Sequence, residues 1–151
     1  AVFTSHWHDD RAGGFTYYNT KGVPTYATPQ TNFLLKKNDK EESTRAIKLS
    51  KTYKIGGERF KIEYFGEGHT KDNVVVWLPD YHILYGGCLI KSAQAQNIGF
   101  VGDGNLRDWP ITIGKLMKRH PNIALVIPGH DEWSGAGHLE RTLELLKGEI
   151  N

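Results

Sequence analysis

A single cysteine in 151 residues excludes an internal disulfide. No apolar run approaches the roughly 20 residues that a membrane-spanning helix needs. Neither charge dominates: 19 basic and 17 acidic residues leave a formal +2, with the signs mixed along the chain. There is no basic stripe to recommend nucleic acid and no acidic tail. The one densely charged stretch, residues 36–45, carries both signs and reads as a solvated helix end and loop. Ala1-Val2-Phe3-Thr4 lacks the basic and long apolar regions of a signal peptide, and reads as the end of a β-strand. At 38% hydrophobic and 24% charged residues the composition is that of an ordinary globular chain, and its length suits one domain with a sizeable core.

Metal-ligand chemistry, punctuated by glycine, is what the chain does have. His6-Trp7-His8-Asp9-Asp10-Arg11 places two imidazoles and a carboxylate in an H-x-H-x-D spacing. Later come His69 after Gly68, Cys88 after Gly86-Gly87, and His130 after Gly129. A lone cysteine is most often a small buried hydrophobe. A lone histidine is most often a surface or hydrogen-bonded core residue, the reading given to His82, His120 and His138. Six such donors in or beside glycine-rich loops are poorly explained by packing. Side chains two apart on an extended segment point the same way, so His6 and His8 can share one ion with Trp7 turned away. Asp10 continues that parity and can reach toward a second ion. Zinc favours His nitrogen, Cys sulfur and Asp oxygen in tetrahedral geometry. The six residues divide into His6, His8 and His69 for a first zinc, and Asp10, Cys88 and His130 for a second. Three protein ligands per ion leave an open position, which marks catalytic rather than structural zinc.

The patterning predicts a short helix over 11–18 stopped by Gly22, and an extended piece over 23–27. Thr28-Pro29 opens a second helix that runs to about Asn38. Strands are expected over 46–49 and 52–55, then a Gly56-Gly57 hairpin turn and an alternating strand over 60–64. An apolar strand over 74–78 is followed by an antiparallel one over 83–85. Asp108-Trp109-Pro110 caps a helix with Ile111, Ile113, Leu116 and Met117 as its apolar positions. A buried strand over 123–127 and a last helix carrying Leu139, Leu143, Leu145 and Leu146 complete the chain. The expectation is a mainly antiparallel sheet with helices along it, and donors just beyond strand ends.

These residues, in this order, resemble the first zinc subclass of the metallo-β-lactamases. The matching segments are His6-Trp7-His8-Asp9-Asp10-Arg11, Gly68-His69-Thr70-Lys71-Asp72-Asn73, Gly86-Gly87-Cys88-Leu89-Ile90-Lys91-Ser92 and Pro128-Gly129-His130. Arg11 stands where glyoxalase-II-like and third-subclass enzymes carry a further histidine. Cys88 stands where other superfamily members use a bridging aspartate or a serine. His6 stands where the second subclass has asparagine. The segments around 72–77 and 129–131 look most like the flavobacterial enzymes.

The resemblance implies an α/β (α+β) chain with the αββα sandwich fold, two Zn2+ ions, and hydrolysis of β-lactam antibiotics including penicillins, cephalosporins and carbapenems. It implies a periplasmic protein whose domain, 1–151 here, lacks the first half of the family fold and its substrate-closing hairpin. That half is an expected partner; nucleic acid and membrane are not. A hydroxide held between the ions is the expected nucleophile, oriented by Asp10, so no Ser/His triad is needed. Lys91 is expected to bind the substrate carboxylate. Arg11, Thr70, Asp72 and Asn73 are expected to position the ligands. Many relatives place an asparagine near the lactam carbonyl where this chain has Phe100, which supplies no amide donor. Two alternatives stand beside this reading: another hydrolase of the superfamily, acting on thioesters or phosphodiesters, or a metal-binding fragment inactive without its missing half.

Overall fold

Thr28 starts a helix where the sequence places one. In the computed structural model, which describes residues 1–150, its Oγ1 accepts a 3.0 Å hydrogen bond from Thr31 N, and Pro29 occupies the first turn. The chain divides into two compact units, Ala1–Leu49 and the remainder from Ser50.

The first unit contains β1 (Val2–Phe3), α1 (Asp9–Ala12), α2 (Phe15–Thr20), β2 (Thr25–Ala27), α3 (Pro29–Lys37) and β3 (Arg45–Ala46). The three strands form a parallel sheet in the order β1-β2-β3. Phe15, Ala27 and Leu35 are buried together, with Val2 and Trp7 packed against them. The helix expected over 11–18 is two short helices, because Gly13-Gly14 falls in its middle and glycine is a poor helix former. The strand expected over 46–49 shrinks to Arg45–Ala46, in register with Tyr26 and Ala27 of β2, and Ile47 N adds a 2.7 Å hydrogen bond to Ala27 O.

The second unit contains β4 (Thr52–Ile55), β5 (Glu58–Glu63), β6 (Val75–Leu78), β7 (Ile83–Gly87), α4 (Trp109–Arg119), β8 (Leu125–Pro128) and α5 (His138–Ile150). Its five strands lie in the order β4-β5-β6-β7-β8. Ile55 pairs with Glu58 across Gly56 and Gly57, whose φ values of 59° and 93° suit a two-residue hairpin turn. The expected antiparallel pairing holds from β4 to β7. It fails for β8, which runs parallel to β7, and for the whole first sheet. Parallel neighbours need a long crossover, and the stretch containing α4 supplies it. The outcome matters for chemistry: Gly87 pairs with Pro128, so Cys88 and His130 leave the sheet at the same end.

Trp109, Ile113 and Leu116, spaced i, i+4, i+7, are the buried stripe of α4. Ile111, expected on that stripe, is 54% exposed. Asp108 precedes α4 but makes no side-chain capping bond; its Oδ2 accepts from Asn105 Nδ2 instead. His120, at the C-terminal end of α4, lies 2.6 Å from buried Glu63 Oε2 and packs on Trp77. His138 is also structural: its Nδ1 accepts from Ala93 N and its Nε2 donates to Trp133 O. His82 Nδ1 donates to Asn122 O. No helix among the described residues is long and apolar enough to cross a membrane.

Candidate metal centre

The first unit brings three of the six candidate donors together. One ligand atom each of His6, His8 and Asp10 lies within 4.8 Å of the others. The reason is not strand parity. Residues 5–8 are bent rather than paired in a sheet, His8 is the N-cap of α1, and Asp10 stands in the first turn of that helix. The turn folds Asp10 back until Oδ1 is 3.8 Å from His6 Nε2. Trp7 packs against the core of its unit, with its ring 4.7 Å from that of His8 and under Lys40 Nζ. Asp9 faces elsewhere and pairs with Lys40 at 2.8 Å. Arg11 Nε lies 3.3 Å from Asp10 Oδ2, so the guanidinium holds the second carboxylate oxygen. Ser5 Oγ lies 3.2 Å from His6 Nδ1. In the tautomer where Nδ1–H donates to that hydroxyl, Nε2 carries the lone pair a metal needs.

The second unit holds the other three. Cys88 Sγ lies 3.3 Å from His130 Nε2, and a ring nitrogen of His69 lies within 4.8 Å of the same sulfur. The glycines noted in the sequence explain the approach. A Cβ at Gly129 would stand 2.6 Å from Cys88 N and from Gly87 C, both backbone. Only glycine lets β8's outgoing chain pass that close to the loop carrying Cys88. A Cβ at Gly68 would stand 2.4 Å from Leu89 Cδ1 and 3.1 Å from the Trp109 ring.

The Asn73 side chain braces the loop after His69. Asn73 Oδ1 accepts from Thr70 N, and its Nδ2 donates to Gly66 O. Thr70 and Asp72 are both buried. Burial holds the Tyr64 phenol above its ordinary pKa, with the negative charges of Glu67, Asp72 and Asp108 acting in the same sense. Lys91 is half-buried, its N donating to Thr142 Oγ1 and its Nζ lying 5.5 Å above the Trp109 ring. Phe100 is 62% exposed and leans over Gly102.

The donor set suits zinc. Two imidazoles with a carboxylate, and a thiol with two more imidazoles, are nitrogen- and sulfur-rich, whereas magnesium and calcium sites are built from oxygen. Zn–S and Zn–N bonds of about 2.3 and 2.05 Å in tetrahedral geometry put the two ligand atoms about 3.6 Å apart. The 3.3 Å between Cys88 Sγ and His130 Nε2 is close to that.

Several supporting residues escaped the sequence reading. Ser5 and Thr142 carried no signal, since isolated hydroxyl residues are common everywhere. Trp109 registered only as the start of α4, yet its Nε1 donates to Leu89 O beside Cys88. Asn105 N donates to Gly68 O and its Nδ2 to Glu67 Oε2, tying a distant loop to the His69 segment.

No family profile matches the chain. Individual relatives do. The chain is 55% identical, over 97% of its length, to "Metallo-beta-lactamase IND-1" of Chryseobacterium indologenes, and covers 61% of that protein. It is 39% identical, over 94% of its length, to "Metallo-beta-lactamase type 2" of Elizabethkingia meningoseptica, and covers 57% of it. The chain thus spans about three fifths of the length of these curated relatives. The crystal structure of metallo-β-lactamase IND-7 superposes with a TM-score of 0.94 at 54% identity, covering 97% of this chain and 67% of that one. A structure from Pontibacter korlensis gives 0.91 at 39% identity, covering 96% and 67%. The mixed α/β fold class expected from the sequence is borne out by these neighbours.

Proposed function

The chain belongs to the metallo-β-lactamase family, and we propose that it carries the chemistry of a zinc-dependent hydrolase of the β-lactam amide bond. Its substrates on this reading are penicillins, cephalosporins and carbapenems, met in the periplasm, and residues 1–151 act as part of one metallo-β-lactamase-type domain. The single observation that carries the proposal is the Cys88–His130 pair at 3.3 Å, at the shared end of β7 and β8, in a chain 55% identical to a named metallo-β-lactamase.

We assign His6, His8 and His69 to a first zinc and Asp10, Cys88 and His130 to a second. Bound zinc would supply Lewis acidity, drawing charge from the lactam carbonyl and lowering the pKa of a water toward neutrality. The chain's own residues do the rest. Asp10 accepts a hydrogen bond from the attacking water and aims it, with Arg11 fixing the other carboxylate oxygen. Lys91 binds the substrate carboxylate and sets the distance between that group and the reacting carbonyl. Phe100 packs against substrate and supplies no hydrogen-bond donor to its carbonyl. Water adds across the C–N bond, giving one new carboxylate and one amine, and no covalent enzyme intermediate forms.

Metal analysis joined to a substrate panel tests this. The expected result is two zinc ions per molecule and β-lactam turnover faster than that of a thioester or phosphodiester. A thioester or phosphodiester turned over faster than any β-lactam would replace the proposed substrate class. Bound zinc with no turnover of any of them would favour a metal-binding fragment.

A further inference from the structure

Trp109 is fully buried, and its indole meets two functional side chains of the same unit at once. Its ring stands 5.8 Å from that of His69 in an edge-to-face arrangement, and Lys91 Nζ lies 5.5 Å from its centroid. We propose that Trp109 is a positioning residue that sets both the orientation of the His69 imidazole and the reach of the Lys91 ammonium. The inference deepens the proposed function and rests on it for the roles of His69 and Lys91.

The indole cannot shift. Its Nε1–H donates a 2.8 Å hydrogen bond to Leu89 O, the residue after Cys88. The same ring packs against the His69 loop, so that a Cβ at Gly68 would stand 3.1 Å from the indole and 2.4 Å from Leu89 Cδ1. The loop is held down from outside by Asn105 N, which donates to Gly68 O at 2.8 Å. An aromatic ring has a negative face and a positive edge, so a fixed ring dictates where a cation and a second ring settle. The Lys91 backbone is anchored independently through Thr142 Oγ1, at 2.8 Å, and Thr142 donates in turn to His138 O. With the backbone anchored there and the ring fixed here, the length of the lysine stem determines where the ammonium stands. A leucine of adequate volume could fill this part of the core, but it would supply neither the N–H for Leu89 O nor the face for Lys91.

The test uses the zinc-loaded protein. In the unmutated protein, the Lys91 ε-methylene protons should show an upfield ring-current shift by NMR; ordinary random-coil shifts overturn the proposal without any variant. Trp109→Phe keeps a smaller ring and removes the tether to Leu89. It should raise KM about two- to tenfold for β-lactams bearing a carboxylate, with a smaller change in kcat. It should also weaken zinc binding, measured by chelator competition, about tenfold or more. In a Lys91→Ala background the same substitution should leave KM unchanged, because its effect on substrate passes through the ammonium. Equal KM changes in both backgrounds, or a lower melting temperature with KM and zinc affinity intact, would reduce Trp109 to a packing residue. If no β-lactam is hydrolysed, the proposed function fails, while the NMR shift and zinc affinity still decide the position of Trp109.

Discussion

Cys88 Sγ and His130 Nε2 stand 3.3 Å apart, and what allows it is the Cβ that Gly129 lacks. Gly129→Ala would place a carbon 2.6 Å from Cys88 N and Gly87 C, and backbone cannot step aside as a flexible side chain can. The substitution should cost about 1–3 kcal/mol of stability, the usual penalty for overpacking. It should also separate the two donors. Cobalt substitution checks this: the thiolate-to-cobalt absorption should weaken in the variant, and a band of full strength would show that the pair tolerates the methyl group.

Lys91 is assigned to substrate rather than metal. Lys91→Ala should therefore raise KM for carboxylate-bearing β-lactams and leave zinc content at the parental level. A loss of zinc on substitution would instead make Lys91 part of the metal scaffold. Phe100→Asn, which introduces an amide donor, should change kcat by less than the about 10²–10³ attached to an oxyanion donor in serine hydrolases. Steady-state kinetics reads both variants, and a hundredfold gain in kcat from Phe100→Asn would show that carbonyl polarisation was incomplete without it.

Glu63 and His120 form a buried pair at 2.6 Å between the end of β5 and the end of α4. Removing one partner strands the other away from water. His120→Ala should cost about 3–5 kcal/mol in denaturant unfolding, the range for breaking a buried pair. Replacing both residues by apolar ones of similar size should cost less than the single change. A single-variant cost below about 1 kcal/mol would place the pair among solvated surface contacts.

Asp80 supplies a contrast at the surface. Its hydrogen bond from Arg59 holds the carboxyl below its ordinary value of 3.8, and the same contact raises the guanidinium. A depressed folded-state value means the contact contributes stability above the unfolded value and loses it as pH falls through the folded one. An NMR titration of Asp80 should find a midpoint under 3.8 that moves upward in high salt. A midpoint at or above 3.8 would mean the contact is not formed in solution.

The donor side chains of this chain were more legible than its architecture. Residue type and glycine spacing mark His6, His8, Asp10, His69, Cys88 and His130 before any fold is known, because few other needs put those donors beside glycines. The parallel run of β8 was not legible. A short apolar strand carries no record of its partner's direction, and the crossover through α4 appears only in three dimensions. The geometry of His6 and His8 was expected for the wrong reason: the bend at residues 5–8 and the first turn of α1 gather the donors, where strand alternation was expected to. Trp109 and Ser5 stayed hidden because a buried indole and a lone serine look the same in sequence whether or not they touch a histidine.

Turnover of a carbapenem and a chromogenic cephalosporin, followed by absorbance with and without a zinc chelator, tests the central claim most directly. The expected result is hydrolysis of both that the chelator abolishes and added zinc restores. Hydrolysis indifferent to chelation, or none from protein carrying its full zinc, would contradict it.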